Sequence, residues 1–397
     1  MSAEMPDGWR EVPLGSVSQI ATGGTPSRSQ QEYWGGDIPW MSSGEVKQRI
    51  VRRVSERITA LGMANSNARL LEPDVIMMAL NGQGRTRGKV ALLKIATTCN
   101  QSLAGIIADR KQAHPEYLFH YLDSMYQYIR DLTGDDARNG LNLKIIASLP
   151  VKLPSLDEQL RIAEVLRVVD DAIAAQDEVS RQSLAVFTST AEECFVGGNW
   201  TAYPLGDLCE SIQVGIVIRP ASYYVETGGV PALRSLNVLE NRLALDDLVY
   251  ISAEGHAANQ KSSLRAGDVV TRRTGEPGKT AMIQAGFEGG LNCIDLIFSR
   301  PNECLRSSFL SFFMNSDAAK RQVAALQGGL AQQHLNVGEM KKLKTPLPDL
   351  QTQDNIVAVL DAMWANVEAE RHLSGQLLTL RGAVAADLFA GRIRVPS

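Results

Sequence analysis

The sequence predicts an α+β protein built twice over. Each half is a β-rich domain followed by one long helix, and the two helices pair as an antiparallel coiled coil under pseudo-twofold symmetry. Three observations carry this. The chain repeats itself at a shift of 190–194 residues. The first ~150 residues of each copy are short apolar runs broken by Gly, Pro and Asn. Each copy then ends in a stretch of about forty residues without proline, whose apolar residues recur at 3–4 spacing.

The repeat is collinear. Trp9-x3-Pro13-Leu14-Gly15 returns as Trp200-x3-Pro204-Leu205-Gly206, and Pro39-x3-Ser43-x2-Val46 as Pro231-x3-Ser235-x2-Val238. Asp74-Val75 matches Asp268-Val269, Gly88-Lys89 matches Gly278-Lys279, and Asn100 matches Asn292. Leu141-Asn142 matches Leu335-Asn336, and Leu153-Pro154-x-Leu156-x2-Gln159 matches Leu347-Pro348-x-Leu350-x2-Gln353. The resulting boundaries are a first domain at 1–150, a helix at 151–198, a second domain at 199–345 and a helix at 346–397.

Within the first domain, Val75–Ala79 and Val90–Leu93 read as buried strands, and Pro115–Leu122 has helical spacing, as does its counterpart Ser308–Met314. The long segments span 155–195 and 349–391. Their stripes are Ile162, Leu166, Val169, Ile173, Leu184, Phe187 and Ala191, and Ile356, Leu360, Met363, Val367, Leu377, Val384 and Leu388. Ser155 with Glu158 makes a capping box, and Asp349 caps the second helix. Gly197-Gly198 and Gly391 end them. An unbroken helix of this length is roughly 60 Å long, so its stripe needs an equally long partner, and its own copy supplies one. Both stripes turn polar at matching places, Gln176 and Ser180, and Glu370 and Ser374. Polar midpoints facing each other and a merely solvated stretch both fit that pattern.

The composition, 44% hydrophobic and 21% charged, is that of a folded globular protein. The acidic balance lies in the helical segments, at net −5 for 151–199 and −2 for 346–397; residues 1–150 carry +2 and 200–345 carry +1. Basic residues gather at Gly-rich turns. One turn holds Gln83, Arg85, Arg87 and Lys89, and the other Arg272, Arg273 and Lys279. A third cluster is Lys47, Arg49, Arg52, Arg53 and Arg57. Small residues beside Arg and Lys let a backbone approach phosphates, and Arg and Gln can read base edges. A solvated turn is the alternative for each cluster.

Several chemistries have no motif. Gly278-Lys279-Thr280 lacks the upstream glycine of a phosphate loop, since Arg273 stands there. There is no Asn/Asp-Pro-Pro-Tyr/Phe loop of an amino-methyltransferase and no His-Glu-x-x-His. The five histidines have no ligand spacing, and the five scattered cysteines form no Cys-x-x-Cys. Asn199-Trp-Thr201 fits a glycosylation sequon only formally. No apolar run is long enough for a membrane helix and the start does not resemble a signal peptide, so a cytoplasmic protein is expected.

At this point the motifs resemble the specificity subunit of Type I restriction–modification enzymes. Gly23-Gly-Thr-Pro-Ser27 with Tyr33-Trp34-x2-Asp37-Ile38-Pro39-Trp40 is similar to the opening of a target-recognition domain. Leu149-Pro-Val-Lys-Leu-Pro-Ser-Leu-Asp-Glu-Gln159-x2-Ile162, repeated as Leu347-Pro-Asp-Leu-Gln-Thr-Gln353-x2-Ile356, is similar to the family's helix start. The second copy departs from the pattern at Gln351-Thr352 and at its opening, Val214–Pro220, so the two domains should read different sequences.

The resemblance implies a non-catalytic chain whose two recognition domains each read one half of a bipartite, asymmetric site in double-stranded DNA. The helices would set the spacer and dock two modification (methyltransferase) subunits. S-adenosylmethionine, ATP and Mg would be held by partner subunits, restriction subunits included where present, and the resemblance implies no membrane partner. The expected DNA-contacting residues are Thr25, Ser27, Arg28, Ser43, Lys47, Gln83, Arg85, Arg87, Lys89 and Asn142 in the first copy. In the second they are Arg219, Arg234, Ser235, Arg272, Arg273, Lys279 and Asn336. The expected partner-contacting residues are Leu156, Gln159, Ile162, Leu350, Gln353 and Ile356. Two other readings are a two-lobed carbohydrate- or peptide-binding module and a standalone DNA enzyme; the missing motifs argue against the latter.

Overall fold

The computed structural model describes residues 5–82, 86–132, 140–287, 290–326 and 334–395. The chain is α+β and divides into two compact units, residues 1–176 with 373–397, and residues 177–372. These boundaries differ from the sequence-derived ones because they cut each long helix near its middle. Antiparallel pairing is the reason: it sets the start of one helix beside the end of the other.

In the first unit, Arg10–Pro13 pairs antiparallel with Pro150–Leu153, in register Arg10↔Leu153. The domain therefore begins and ends on one two-stranded ribbon, and the first long helix starts three residues later. A five-stranded sheet runs in the order Ser18–Thr22, Leu103–Ala108, Ile76–Ala79, Val90–Leu93, Ile50–Val51. Ile76–Ala79 and Val90–Leu93 are buried at every residue, as their unbroken apolar runs require. A smaller sheet places Trp34–Met41 between Glu56–Ile58 and Thr98–Cys99. The helix Pro115–Ser124 has its proline in the first turn, where no N–H is needed, and buries Tyr117, Leu118, Phe119 and Leu122.

The second unit repeats this plan. Ala202–Pro204 pairs antiparallel with Lys344–Pro346. One sheet runs Cys209–Val214, Leu296–Pro301, Val269–Arg272, Thr280–Met282, and another places Val230–Leu233 between Val249–Ile251 and Leu291–Cys293. Registers fix the correspondence. Met41 pairs in parallel with Cys99, and Leu233 with Cys293. The Gly24 N–H donates to the Cys99 carbonyl at 2.9 Å, and the Ile216 N–H to that of Cys293 at 2.8 Å. A Cβ on Gly23 would stand 1.9 Å from the Cys99 oxygen, and one on Gly215 would stand 2.3 Å from that of Cys293. Those glycines serve a close backbone approach. This register corrects one match: Cys99 equates with Cys293, so Asn100 equates with Ile294, not Asn292.

The long helices run Leu156–Glu192 and Leu350–Phe389. The first continues into a widened π-type turn, Glu193–Gly197, and the second closes at Gly391, which adopts φ +67°. Ser155 accepts from the Glu158 N–H at 3.3 Å, but the Glu158 carboxylate turns to Arg394 at 2.7 and 2.9 Å, so no reciprocal box forms. Asp349 caps as expected, accepting from the Thr352 N–H at 3.0 Å.

Inside the first unit, Ile162 and Leu166 share a core with Ala385, Leu388 and Phe389, and Arg381 reaches Asp170. Inside the second, Phe187 meets Trp364 at 5.0 Å between ring centroids, and Ser183 is near Asn366. Rising numbers on one helix meet falling numbers on the other, which makes both pairings antiparallel. Each fully buried aliphatic side chain on these seams contributes about 1.5–3 kcal/mol. Gln176, Ser180, Glu370 and Ser374 are half-buried. No described helix is long and apolar enough to cross a membrane.

Candidate nucleic-acid interface

Both Gly-rich turns are hairpin ends of the larger sheets. In the first unit the Gly88 N–H donates to the Ala79 carbonyl at 2.9 Å; in the second the Gly278 N–H donates to that of Arg272 at 3.0 Å. Gly88 and Gly278 adopt φ +81° and +99°, a backbone that favours glycine. Between these bonds the second turn is three residues shorter, which accounts for the drop of the repeat offset to 190 at Gly88 and Gly278. Beside each turn lies the helix that opens on the Leu-Asn pair. The Leu141 N–H bonds the Leu80 carbonyl, and the Leu335 N–H bonds that of Arg273, each at 3.0 Å.

Asn142 and Asn336 lie at these junctions as helix caps. Asn142 accepts from the Ile145 N–H at 3.0 Å, and Asn336 forms a reciprocal box with Glu339 at 2.9 Å in both directions. Their Oδ1 atoms are thus engaged within the chain, while both residues remain exposed. Gln83 and Arg85 lie outside the described residues.

The remaining basic residues divide sharply. Arg272 is 7% exposed, with its Nε donating to the Val238 carbonyl at 2.5 Å and a second nitrogen to Glu276. Burial removes it from any phosphate, which corrects that assignment. Arg87 is likewise buried, at 8% exposure. Arg49 turns inward to Asp123 and Asp170, so it leaves the surface cluster to which its sequence position assigned it. Lys279 pairs with Glu276, Arg273 with Asp295, and Arg234 with Asp247. Lys89 is half-buried. Lys47, Arg52 and Arg53 are exposed and make no ion pair among the described residues. Arg219 is exposed at φ +45°.

Two groups of polar side chains come together. In the second unit, Ser235 Oγ lies 3.4 Å from Thr274 Oγ1, which donates to Asp295, the partner of Arg273. The Ser235 turn and the hairpin end therefore meet. In the first unit, Ser43 opens the short turn Ser43–Gln48, with Lys47 near its end. Thr25 Oγ1 donates to Gln101 Oε1 at 2.6 Å, and Ser27 pairs with Ser29. Arg28 makes a forked pair with Glu56 at 2.5 and 2.9 Å, while its guanidinium lies 3.6 Å over the Trp34 ring. The same bond holds the Glu56 carboxyl below its ordinary range. Arg28 is thus immobilised at the surface, with its donor fork occupied by the planar carboxylate of Glu56. Sequence reasoning passed over Gln101, Thr274 and Asp295. The Trp34-to-Trp40 spacing in the opening motif was the available signal for the stacked arginine.

The expected partner-contacting residues also divide. Leu156 and Leu350 are exposed at 39% and 37%, and Ile356 is half-buried. Ile162, at 1% exposure, is core. Gln159, also 1% exposed, accepts from the His114 N–H at 2.8 Å and donates to the carbonyls of Gln112 and Pro154. Gln353 does the same with Arg306, Cys304 and Pro348. Each glutamine fastens its long helix to the loop before the domain's own helix. Buried side chains that are fully bonded within the chain offer nothing to a partner, which corrects the assignments of Ile162, Gln159 and Gln353.

The thiols of Cys99 and Cys293 are buried and pushed up, Cys99 to about 12, by burial. The five cysteines are unbonded, and no His/Cys/Asp/Glu group among the described residues could hold a metal.

The comparisons agree with this architecture. A family profile for the Type I restriction modification DNA specificity domain matches residues 6–180 and again 197–379. The Type I restriction enzyme MjaIX specificity subunit of Methanocaldococcus jannaschii is 24% identical over 310 residues, which is 70% of this chain and 69% of that one. The crystal structure of the Type I restriction–modification S subunit from M. genitalium superposes with a TM-score of 0.59 at 14% identity, over 97% of this chain and 98% of that one. A chain from a study of complex assembly and conformational transition in the type I system also gives 0.59, at 20% identity, over 98% and 100%. With one profile matching both copies of the repeat, the chain belongs to the Type I restriction–modification DNA specificity family.

Proposed function

We propose that this chain selects the DNA site for a Type I restriction–modification complex, with each unit reading one half of a bipartite, asymmetric sequence. The observation that carries the reading is one topology built twice with different side chains at the equivalent loops. Arg28 stacked on Trp34 and the exposed Lys47, Arg52 and Arg53 mark one unit; Ser235, Thr274, Arg273 and Asp295 mark the other. Similar frames with unlike faces suit two unlike half-sites.

The chain itself performs no bond chemistry in this reading. Methyl transfer with S-adenosylmethionine belongs to two modification subunits, and ATP- and Mg-dependent cleavage to restriction subunits where these exist. The helices set the spacer and dock the modification subunits. Exposed apolar residues on their outer faces, Leu156, Leu160, Val168, Val186, Val359 and Leu378 among them, supply the contact. A cytoplasmic location belongs to the same reading. Methylome sequencing of strains with and without the gene tests it. The expected result is one split, asymmetric methylated motif that disappears on deletion; an unchanged methylome refutes the proposal and favours the carbohydrate- or peptide-binding alternative.

A further inference from the structure

The place where each domain's helix meets the two long helices is built twice, with opposite chemistry. In the first unit it is ionic. Arg381 bonds Asp170 at 2.5 Å and Asp123 at 3.0 Å, and Arg49 bonds Asp123 at 2.6 Å and Asp170 at 2.9 Å. His120 lies 3.7 Å from Asp170. The side chains of Arg381, Asp170 and Asp123 are 13%, 18% and 19% exposed. In the second unit, the repeat puts Phe187 where Arg381 stands, Trp364 for Asp170, Phe312 for His120, Asn315 for Asp123 and Asn241 for Arg49. Phe187 lies 5.0 Å from Trp364 and 6.1 Å from Phe312, and Asn315 donates to Asn241 at 2.6 Å. Asn241 and Arg49 share the left-handed backbone, at φ +56° and +59°, which supports their equivalence.

We infer that these joints are a pairing code. The first unit accepts only a helix presenting arginine, and the second only a helix presenting an aromatic ring. The repeat makes such a code necessary, because each domain carries a long helix able to pair with its own copy. A first-half segment paired with itself would set Phe187 against Asp123 and Asp170, leaving two buried carboxylates with one arginine. A second-half segment paired with itself would set Arg381 against Trp364 and Phe312, where Glu368 is already paired with Arg371 and Arg242. An unpaired buried charge costs far more than a lost contact. Each mismatch therefore excludes the symmetric arrangement, the repulsive element that specificity requires. The consequence for DNA, that the chain keeps an asymmetric target, rests on the function proposed above; the pairing itself does not.

The test uses the full-length chain without DNA, followed by hydrogen exchange at residues 115–124 and 307–315. Arg381→Phe should lose protection in the first region alone, and Phe187→Arg in the second alone. Converting the whole joint should restore most of that protection. In the first unit the converted set is Arg381→Phe with Asp170→Trp, His120→Phe, Asp123→Asn and Arg49→Asn. In the second it is Phe187→Arg with Trp364→Asp, Phe312→His, Asn315→Asp and Asn241→Arg. Recovery in either unit supports the code, as positive coupling in a mutant cycle. If a single variant fails to accumulate, accumulation of its converted counterpart is the same recovery. Full protection in both single variants overturns the inference, and so does no recovery in either converted joint. Loss of DNA recognition with intact coupling would count against the proposed function and leave the code standing.

Discussion

His120 carries a pH dependence whose sign follows from its surroundings. Burial, then the cations of Arg381 and Arg49, hold its pKa down to about 4, against the opposing pull of Asp170 and Asp123. In the unfolded chain it titrates near ~6.5. Between those values the unfolded state takes up a proton that the folded state refuses, so stability falls as pH drops from about 6.5 to 4. Urea unfolding of the first unit at pH 7 and pH 5 should show this loss, and His120→Phe should reduce it; an unchanged difference in the variant refutes the assignment. Gln159 and Gln353 lend themselves to a second measurement. Replacing either by alanine strands a buried N–H and two carbonyls, at a cost of about 1–3 kcal/mol confined to the unit that holds it. Denaturation followed by a probe in each unit reads that confinement. A loss shared equally by both units would show that the glutamines do not act locally. Neither role was legible in the sequence. A repeated glutamine says that a position is used twice, but not whether its amide faces inward. The same blindness assigned Arg49 and Arg272 to the surface, since counting charges gives no direction.

The long helices were the most legible elements, and their physics explains why. A 3.6-residue period sustained over some forty residues, bounded by Pro154-Ser155 and Pro348-Asp349, admits no strand. The observed helices, Leu156–Glu192 and Leu350–Phe389, lie within a few residues of the expected limits. The sheets were legible only as apolar runs, because strand partners separated by up to ~140 residues, such as Arg10 and Leu153, leave no local mark. Four residues inserted after Gln176 and four after Glu370 would lengthen each helix by ~6 Å, a little under two base-pair steps. Four residues turn the helix by only a little more than one full turn, so both stripes stay nearly in line. The expected outcome is methylation of the same two half-sites across a longer spacer, read by methylome sequencing. Activity confined to the original spacing would end the idea of the helices as a ruler.

The division into two units, each with its own core and its own closing ribbon, predicts modular exchange. Replacing residues 10–153 by the corresponding region of a relative should change one half of the methylated motif and leave the other intact; a change in both halves would refute one-unit-one-half reading. The paired strands Arg10–Pro13 and Pro150–Leu153 favour this, because the cut points lie side by side and travel with the domain. They also bear on how such genes change over generations. Leu153–Gln159 lies at the end of the ribbon and recurs as Leu347–Gln353, so the chain carries its junction motif twice. An in-frame crossover between different genes at Leu153–Gln159 exchanges the whole first domain and keeps its ribbon and its glutamine fastening. New pairings of one domain with the other are thus reachable by a single in-frame exchange.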